Sequence, residues 1–278
     1  MKLAQIRHTL DTEGIRLTKS LGQNFLHDQN QLARIAQAAD LGDNDSVLEI
    51  GPGLGCLTSH LLGGHRTVMA IETDNRLVEF LTRHYASTPQ LQIVHADALR
   101  FLREHSGSWQ DWKCVSNLPY SVASPILVEL AIHPSPPARI VTTVQTEVAD
   151  RIRSPHGSGD YGILSLLIQA NFEPGESFKI PPPCFFPPPN VDSTCITLHR
   201  RKSRLLGPGE FPTFCKIVKR GFSQRRKMMI KLLKADWNIE WISVLLEELG
   251  LDPKVRAEQV SLDQFVRMTQ GLMQAKQN

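Results

Sequence analysis

The stretch that decides the fold is Val47-Leu48-Glu49-Ile50-Gly51-Pro52-Gly53-Leu54-Gly55. A short apolar run stops beside an acidic residue and opens into three glycines at alternate positions. The run reads as a buried strand. Glycines at that spacing let the backbone turn sharply and leave no β-carbons where a ligand must touch main chain. Leu57, Leu61 and Leu62 then start a helix whose N–H groups face the same spot. The arrangement predicts a small-molecule pocket at the C-terminal end of a first parallel strand.

Two cofactor classes use such a loop. A dinucleotide fingerprint needs G-x-G-x-x-G, but here the third glycine falls one position early, at Gly55, and Cys56 follows it. The spacing E-x-G-x-G-x-G instead resembles the S-adenosylmethionine loop of Rossmann-like methyltransferases. A dinucleotide oxidoreductase is disfavoured on the same ground.

The strands that follow fit that fold. Thr67 to Ile71 is β-rich and apolar and ends at Glu72, about 20 residues after the first glycine, where such folds place a carboxylate on ribose hydroxyls. Leu91 to Val94 alternates as a third strand and leads to Asp97, a carboxylate placed to accept from an adenine amino group. Lys113 to Ser116 is a fourth strand. It runs into Asn117-Leu118-Pro119-Tyr120, after which Ser124-Pro125 starts a helix burying Ile126, Leu127, Leu130 and Ala131. Ile140 to Val144 is a fifth strand and Gly162 to Ala170 an apolar helix. Segments near Ser177 to Ile180 and Ser193 to Leu198 are expected to close the sheet as a hairpin.

Before the glycine loop, Met1 to Gly22 is polar and reads as an arm that orders on a partner. Leu32, Ile35, Ala36 and Ala39 then mark a helix face, with Asp28 or Asn30 as its cap. Late in the chain, two triple-proline runs bracket Cys184-Phe185-Phe186 and hold the two rings on a stiff loop. Gly207-Pro208-Gly209 marks a boundary. Beyond it the periodicity is helical, with one face of Phe214, Ile217, Val218 and Phe222, another of Trp241, Leu245 and Leu249, and a capping box at Ser261-Leu262-Asp263-Gln264. The expected architecture is α/β: a Rossmann-like S-adenosylmethionine-dependent methyltransferase domain with its arm over 1–203, and a small all-α domain over 204–278.

Composition narrows the partners. No stretch of the 278 residues approaches the roughly 18 apolar positions of a membrane span, and the start lacks a signal-peptide core, so a cytoplasmic protein is expected. The five cysteines form no C-x-x-C pair and the ten histidines no H-E-x-x-H spacing, so reduced thiols and no metal are expected. The net charge of +3 hides a strong asymmetry. From Arg200 to Lys234 twelve basic residues face a single acid, Glu210, so the remainder of the chain is acidic. That density, with Arg225, Arg226 and Lys227 at its peak, points to a phosphate-rich partner.

The chemistry rests on Asn117-Leu118-Pro119-Tyr120, at the tip of the strand beside the glycine loop. An exocyclic amine has its lone pair delocalised into its ring. An Asn carbonyl and a neighbouring main-chain carbonyl, held in place by Pro119, accept the two amine hydrogens and favour a pyramidal nitrogen without a strong base. Tyr120 would stack on the target base, with Phe185 or Phe186 closing over its other face. Stacking is worth roughly 1–3 kcal/mol per base, comparable to the few kcal/mol needed to unstack a nucleotide.

Gln23-Asn24-Phe25-Leu26, the glycine loop, Asn117-Leu118-Pro119-Tyr120, Gln145 to Arg151, Asp160-Tyr161-Gly162, Phe185 to Ser193 and Phe222-Ser223-Gln224-Arg225-Arg226-Lys227 together resemble the small-subunit ribosomal RNA adenine dimethyltransferases, the bacterial KsgA and eukaryotic Dim group. The motifs fall in family order from about Leu17 to the final helix. The resemblance implies dimethylation of two adjacent adenosines near the 3′ end of small-subunit rRNA, linked to subunit assembly, with S-adenosylmethionine as cofactor. It assigns Asn24, Leu26, Gly51, Gly53, Gly55, Glu72, Asp97 and Asn117 to the cofactor. Asn117, Leu118, Pro119, Tyr120 and Phe185 fall to the target adenine, and Arg225, Arg226 and Lys227 to RNA. A monomer bound to immature small subunits is expected. Ser121 departs from the Asn common after N-L-P-Y, and Asn190 from the common Lys before Val-Asp-Ser.

Overall fold

Residues 1–18, 22–207 and 209–274 are described by a computed structural model and divide into two units: Met1–Ala149 with Glu173–Arg200, and Asp150–Phe172 with Arg201–Asn278. The first unit opens with a helix, α1 (Leu3–Thr12), which buries Ile6 and Leu10 in the same core as Leu32 and Ile35. The free arm expected over Met1 to Gly22 is therefore corrected for its first half. Apolar residues four apart are enough to dock one face of a short helix. Of that expected arm, residues 19–21 lie outside the described residues.

The chain then forms β1 (Phe25–Leu26), α2 (Gln29–Ala38) and β2 (Ser46–Ile50). Asp28 is the α2 cap, accepting from Gln31 N at 3.0 Å. In β2 every side chain after Ser46 is buried, as expected for a central parallel strand covered on both faces. After the glycine loop α3 (Thr58–Leu61) is a single turn, shorter than the leucine spacing predicts, because Leu62 turns extended and Gly63 and Gly64 take positive φ. Next come β3 (Thr67–Glu72), α4 (Asn75–His84), β4 (Leu91–His95), α5 (Ala98–Glu104) and β5 (Trp112–Asn117). Then follow α6 (Ala123–Ile132), β6 (Arg139–Gln145), α7 (Thr146–Arg153), α8 (Ile163–Gln169), β7 (Phe172–Ile180), β8 (Phe185–Phe186) and β9 (Ser193–Arg200).

Seven strands form one sheet in the order β4-β3-β2-β5-β6-β9-β7. β4, β3, β2, β5 and β6 run parallel, and β9 joins antiparallel to β6 with Gln145 opposite Ser193. The two late segments do complete the sheet. A separate two-stranded ladder pairs β1 with β8, Phe25 opposite Phe186 and Leu26 opposite Phe185. Successive strands step outward from β2 toward β4, and then from β5 in the other direction. The reversal leaves a crevice at the C-terminal ends of β2 and β5.

The second unit is helical. α9 (Phe211–Gly221), α10 (Met229–Leu233), α11 (Ile239–Glu248) and α12 (Leu262–Gln274) bury Phe214, Ile217, Val218, Met229, Leu233, Ile242, Leu246, Phe265 and Leu272. The capping box before α12 is present in both directions: Ser261 N donates to Gln264 Oε1 at 2.9 Å and Gln264 N to Ser261 Oγ at 3.2 Å. Two expectations change. The buried stripe of α11 is Ile242 and Leu246, one position on from the expected Trp241 and Leu245, and Trp241 is exposed. Residues 150–172, expected in the first domain, pack with the later helices. Tyr161 Oη donates to the Val260 carbonyl at 3.0 Å, and Gly157 N donates to the Glu258 carbonyl at 2.8 Å. The entry to this segment falls inside α7, where no glycine or proline marks it, and only its exit is followed by Pro174-Gly175. Of the boundary signal Gly207-Pro208-Gly209, Pro208 lies outside the described residues.

Candidate active site

Gly51, Gly53 and Gly55 all adopt the left-handed conformation, with φ of 70°, 60° and 77°. Positive φ at alternate positions folds the loop tightly: Gly51 N donates to the Ile71 carbonyl and Gly55 N to the Pro52 carbonyl, each at 2.9 Å. The space a side chain would need is already taken. A β-carbon on Gly51 would lie 3.2 Å from Pro119 Cδ, one on Gly53 2.7 Å from Phe25 Cε1, and one on Gly55 2.9 Å from Tyr85 Cε2. Tyr85 Oη also donates to the Gly55 carbonyl at 3.1 Å, so α4 fixes the far end of the loop. The loop is a backbone cradle, closed on three sides by neighbouring elements.

Acidic groups sit behind and beside it. Glu72, at the end of β3, accepts from Gly53 N at 3.2 Å through one oxygen, and from Thr73 N at 2.8 Å and Asp74 N at 3.0 Å through the other. Burial raises its pKa and these three N–H groups oppose the rise. Asp74 is held below the usual carboxylate range by the Arg76 guanidinium, and accepts from Gln23 Nε2 at 3.0 Å. Glu49 is 1% exposed and accepts from Thr58 Oγ1 at 2.7 Å. Burial pushes it up to about 8, which keeps it protonated at neutral pH.

At the tip of β5, Asn117 Nδ2 donates to the Asn24 carbonyl at 3.0 Å. A carbonyl only accepts, so this contact fixes the amide orientation and leaves Oδ1 on the other side. Asn117 Oδ1 is buried and has no partner. Three residues on, the Tyr120 hydroxyl is hydrogen-bonded to Ser193 Oγ at the start of β9. Burial raises the Tyr120 pKa, with the Ser193 contact acting against it.

Two cavities meet here. One of about 70 Å³ is lined by Asn24, Leu26, Gly51, Gly53, Glu72, Asn117, Leu118, Pro119 and Tyr120, among others. The other, about 140 Å³, shares Gly51, Glu72, Thr73 and Pro119 with it and extends to Asp97, Leu99 and Ile126. The fold thus gathers nearly all the residues expected in the site. Gly55 is the exception in the loop: it lies under Tyr85 and is absent from both walls. Asp97 also caps α5, accepting from Arg100 N at 2.9 Å.

Phe185 is placed otherwise than expected. Its ring is 2% exposed, belongs to the core with Ile180 and Cys184, and lines neither cavity, because pairing with Leu26 turns it inward. Phe186 is half-buried, with the Arg7 guanidinium 5.2 Å from its ring centre. Sequence reasoning gave no role to Gln23, Thr58, Tyr85 or Ser193. Gln23 and Ser193 carried a signal, the first within Gln-Asn-Phe-Leu and the second within Val-Asp-Ser. In the second unit Arg225, Arg226 and Lys227 are exposed on turns between α9 and α10, not on a helix, and Arg225 Nη2 donates to the Gly159 carbonyl at 3.1 Å. Among the described residues no group of three or more His, Cys, Asp or Glu forms a metal-binding arrangement, and no helix is long and apolar enough to cross a membrane.

The family model for "Ribosomal RNA adenine dimethylase" matches residues 14–274. The chain is 36% identical to "Ribosomal RNA small subunit methyltransferase A" of Lactiplantibacillus plantarum, over 98% of this chain and 95% of that one. It is 37% identical to the protein of the same name from Geobacter metallireducens, over 94% and 97%. Among solved structures, a dimethyladenosine transferase from Plasmodium falciparum shares the fold with TM-score 0.75 at 23% identity, covering 91% of this chain and 98% of that one. The 23S rRNA methyltransferase ErmE aligns with TM-score 0.65 at 27% identity, covering 90% and 99%. S-adenosylmethionine is the cofactor of this enzyme class, and a glycine cradle with no room for β-carbons, flanked by buried acidic groups, fits it. By sequence match over nearly its whole length, the chain belongs to the ribosomal RNA adenine dimethylase family.

Proposed function

We propose that this enzyme dimethylates the N6 amines of two adjacent adenosines in the loop near the 3′ end of small-subunit rRNA, during subunit assembly. The observation that carries the reading is the orphaned acceptor Asn117 Oδ1, buried at the tip of β5 beside the glycine cradle. A buried carbonyl oxygen without a partner is destabilising by roughly 1–3 kcal/mol. That deficit is relieved when an amine N–H arrives, so the site is complementary to a nucleobase amine before one binds. The proteins named for small-subunit rRNA match at 36–37% identity, above the 27% of ErmE, and favour that RNA over 23S.

Asn117 Oδ1 accepts one N6 hydrogen and the Leu118 carbonyl the other, which frees the nitrogen lone pair for attack. Tyr120 supplies the stacking face that holds the flipped base. The glycine loop, Glu72, Asp97, Asn24 and Leu26 would hold the cofactor, Glu72 as an acceptor for ribose hydroxyls and Asp97 as an acceptor for the adenine amine. When bound, S-adenosylmethionine supplies a sulfonium methyl as electrophile. The protein's part is alignment and electrostatics, since the amine becomes acidic only as the methyl arrives. The basic residues Arg225, Arg226 and Lys227 grip phosphates, and the enzyme works as a monomer.

The test is tritiated methyl transfer to purified small subunits lacking the modification, followed by mapping of the labelled nucleotides. Label on two neighbouring adenosines of small-subunit RNA is expected, and Asn117→Ala should abolish it. Label confined to large-subunit RNA would overturn the substrate assignment.

A further inference from the structure

Ser193 is 0% exposed and is the first residue of β9, opposite Gln145 at the end of β6. Its neighbours on both sides are braced. Thr146 N donates to the Asp192 carbonyl at 2.9 Å, and the Thr146 and Thr194 hydroxyls are 2.9 Å apart. The Ser193 hydroxyl is therefore a fixed point of the sheet, and its partner is the hydroxyl of Tyr120. Tyr120 itself sits beyond the end of β5, on the turn that follows Pro119, where no sheet pairing holds its ring.

We infer that Ser193 is a positioning residue for methyl transfer: it ties the far end of the Tyr120 ring to the sheet, and so sets the plane against which the target base stacks. The inference rests on the stacking role proposed above for Tyr120. A stacking platform must hold its plane within roughly 10–20° for the amine to meet both acceptors. A ring fixed only at its Cβ turns about two bonds. A hydrogen bond at its hydroxyl stops the swing about Cα–Cβ, and because a phenol O–H lies in the plane of its ring, the same bond favours one rotation about Cβ–Cγ. This also accounts for Tyr rather than Phe at position 120, since a phenyl ring stacks equally well but has nothing to tie.

The test is a double-mutant cycle on turnover combined with a direct view of the ring. Ser193→Ala and Tyr120→Phe should each lower kcat by about 2- to 12-fold, the range one ordinary neutral hydrogen bond spans, with KM for the subunit nearly unchanged. The double variant should be no slower than the worse single one. The chain has three tyrosines, so tyrosine labelled with ¹³C at Cζ gives a signal for Tyr120 assignable with Tyr120→Phe. That signal should move in Ser193→Ala, in the absence of RNA, with the unfolding midpoint read alongside. Additive losses in the cycle, or a Tyr120 resonance indifferent to Ser193→Ala, would overturn the inference. A wild-type enzyme inactive on small subunits would overturn the substrate reading instead, while the resonance still decides whether Ser193 anchors the ring.

Discussion

The ring of Phe25 lies against the backbone of Gly53, so close that a β-carbon at position 53 would stand 2.7 Å from Phe25 Cε1. Residues 28 positions apart thus define one wall of the glycine cradle, and Gly53 has a second constraint in its φ of 60°. Gly53→Ala should weaken S-adenosylmethionine binding by about 5- to 150-fold, in line with the roughly 1–3 kcal/mol of a strained backbone position. Adding Phe25→Ala should recover part of the loss by removing the contact but not the φ penalty. Calorimetric titration reads both variants, and an unchanged affinity for Gly53→Ala would contradict the geometry.

Phe185 and Phe186 should separate by stability. Phe185→Ala removes a ring that is 2% exposed, so it should lower unfolding free energy by about 3–5 kcal/mol. Phe186→Ala, at a half-buried site under Arg7, should lower it less. Urea midpoints decide. A Phe185→Ala protein of wild-type stability but without turnover would return that ring to the catalytic site.

Glu49 makes stability depend on pH. Its folded pKa of about 8 lies above the ordinary 4.5, so the folded state binds the extra proton between those values. Its contribution is complete below about pH 4.5, declines as pH rises toward 8, and changes no further beyond that. Glu49→Gln keeps an acceptor for the Thr58 hydroxyl and cannot ionise. Between pH 5.5 and 8.5 the wild-type midpoint should fall more steeply than that of Glu49→Gln. Parallel profiles would show that Glu49 does not titrate in this range.

Docking and chemistry should be separable. Replacing exposed Arg225, Arg226 and Lys227 by Ala should weaken RNA binding at low salt. If all three engage phosphates, the log–log salt slope should become shallower by roughly 2–3 units, at about 0.7–0.9 per contact. Cofactor affinity should not change, and saturating subunit should restore much of the turnover. An unchanged slope with abolished turnover would place these residues in the methyl-transfer site.

Much of this protein was determined locally. Val47 to Gly55 specified a buried strand and a left-handed glycine turn, because glycine takes positive φ without strain, and the sequence spacing placed Glu72, Asp97 and Asn117 at the strand ends that meet at that loop. Caps such as Asp28 and the Ser261–Gln264 box were legible for the same reason: their partners lie within four residues. What the tertiary structure alone decided are relations between distant segments. The Asn24 carbonyl turns the Asn117 amide from 93 positions away, Ser193 ties Tyr120 from 73 away, and the pairing of Leu26 with Phe185 buries a ring that the proline runs on either side do not place. Side-chain identity states what an atom can donate or accept. Only the packing of strands and helices determines which groups come within 3 Å of each other, and which, like Asn117 Oδ1, are left buried without a partner.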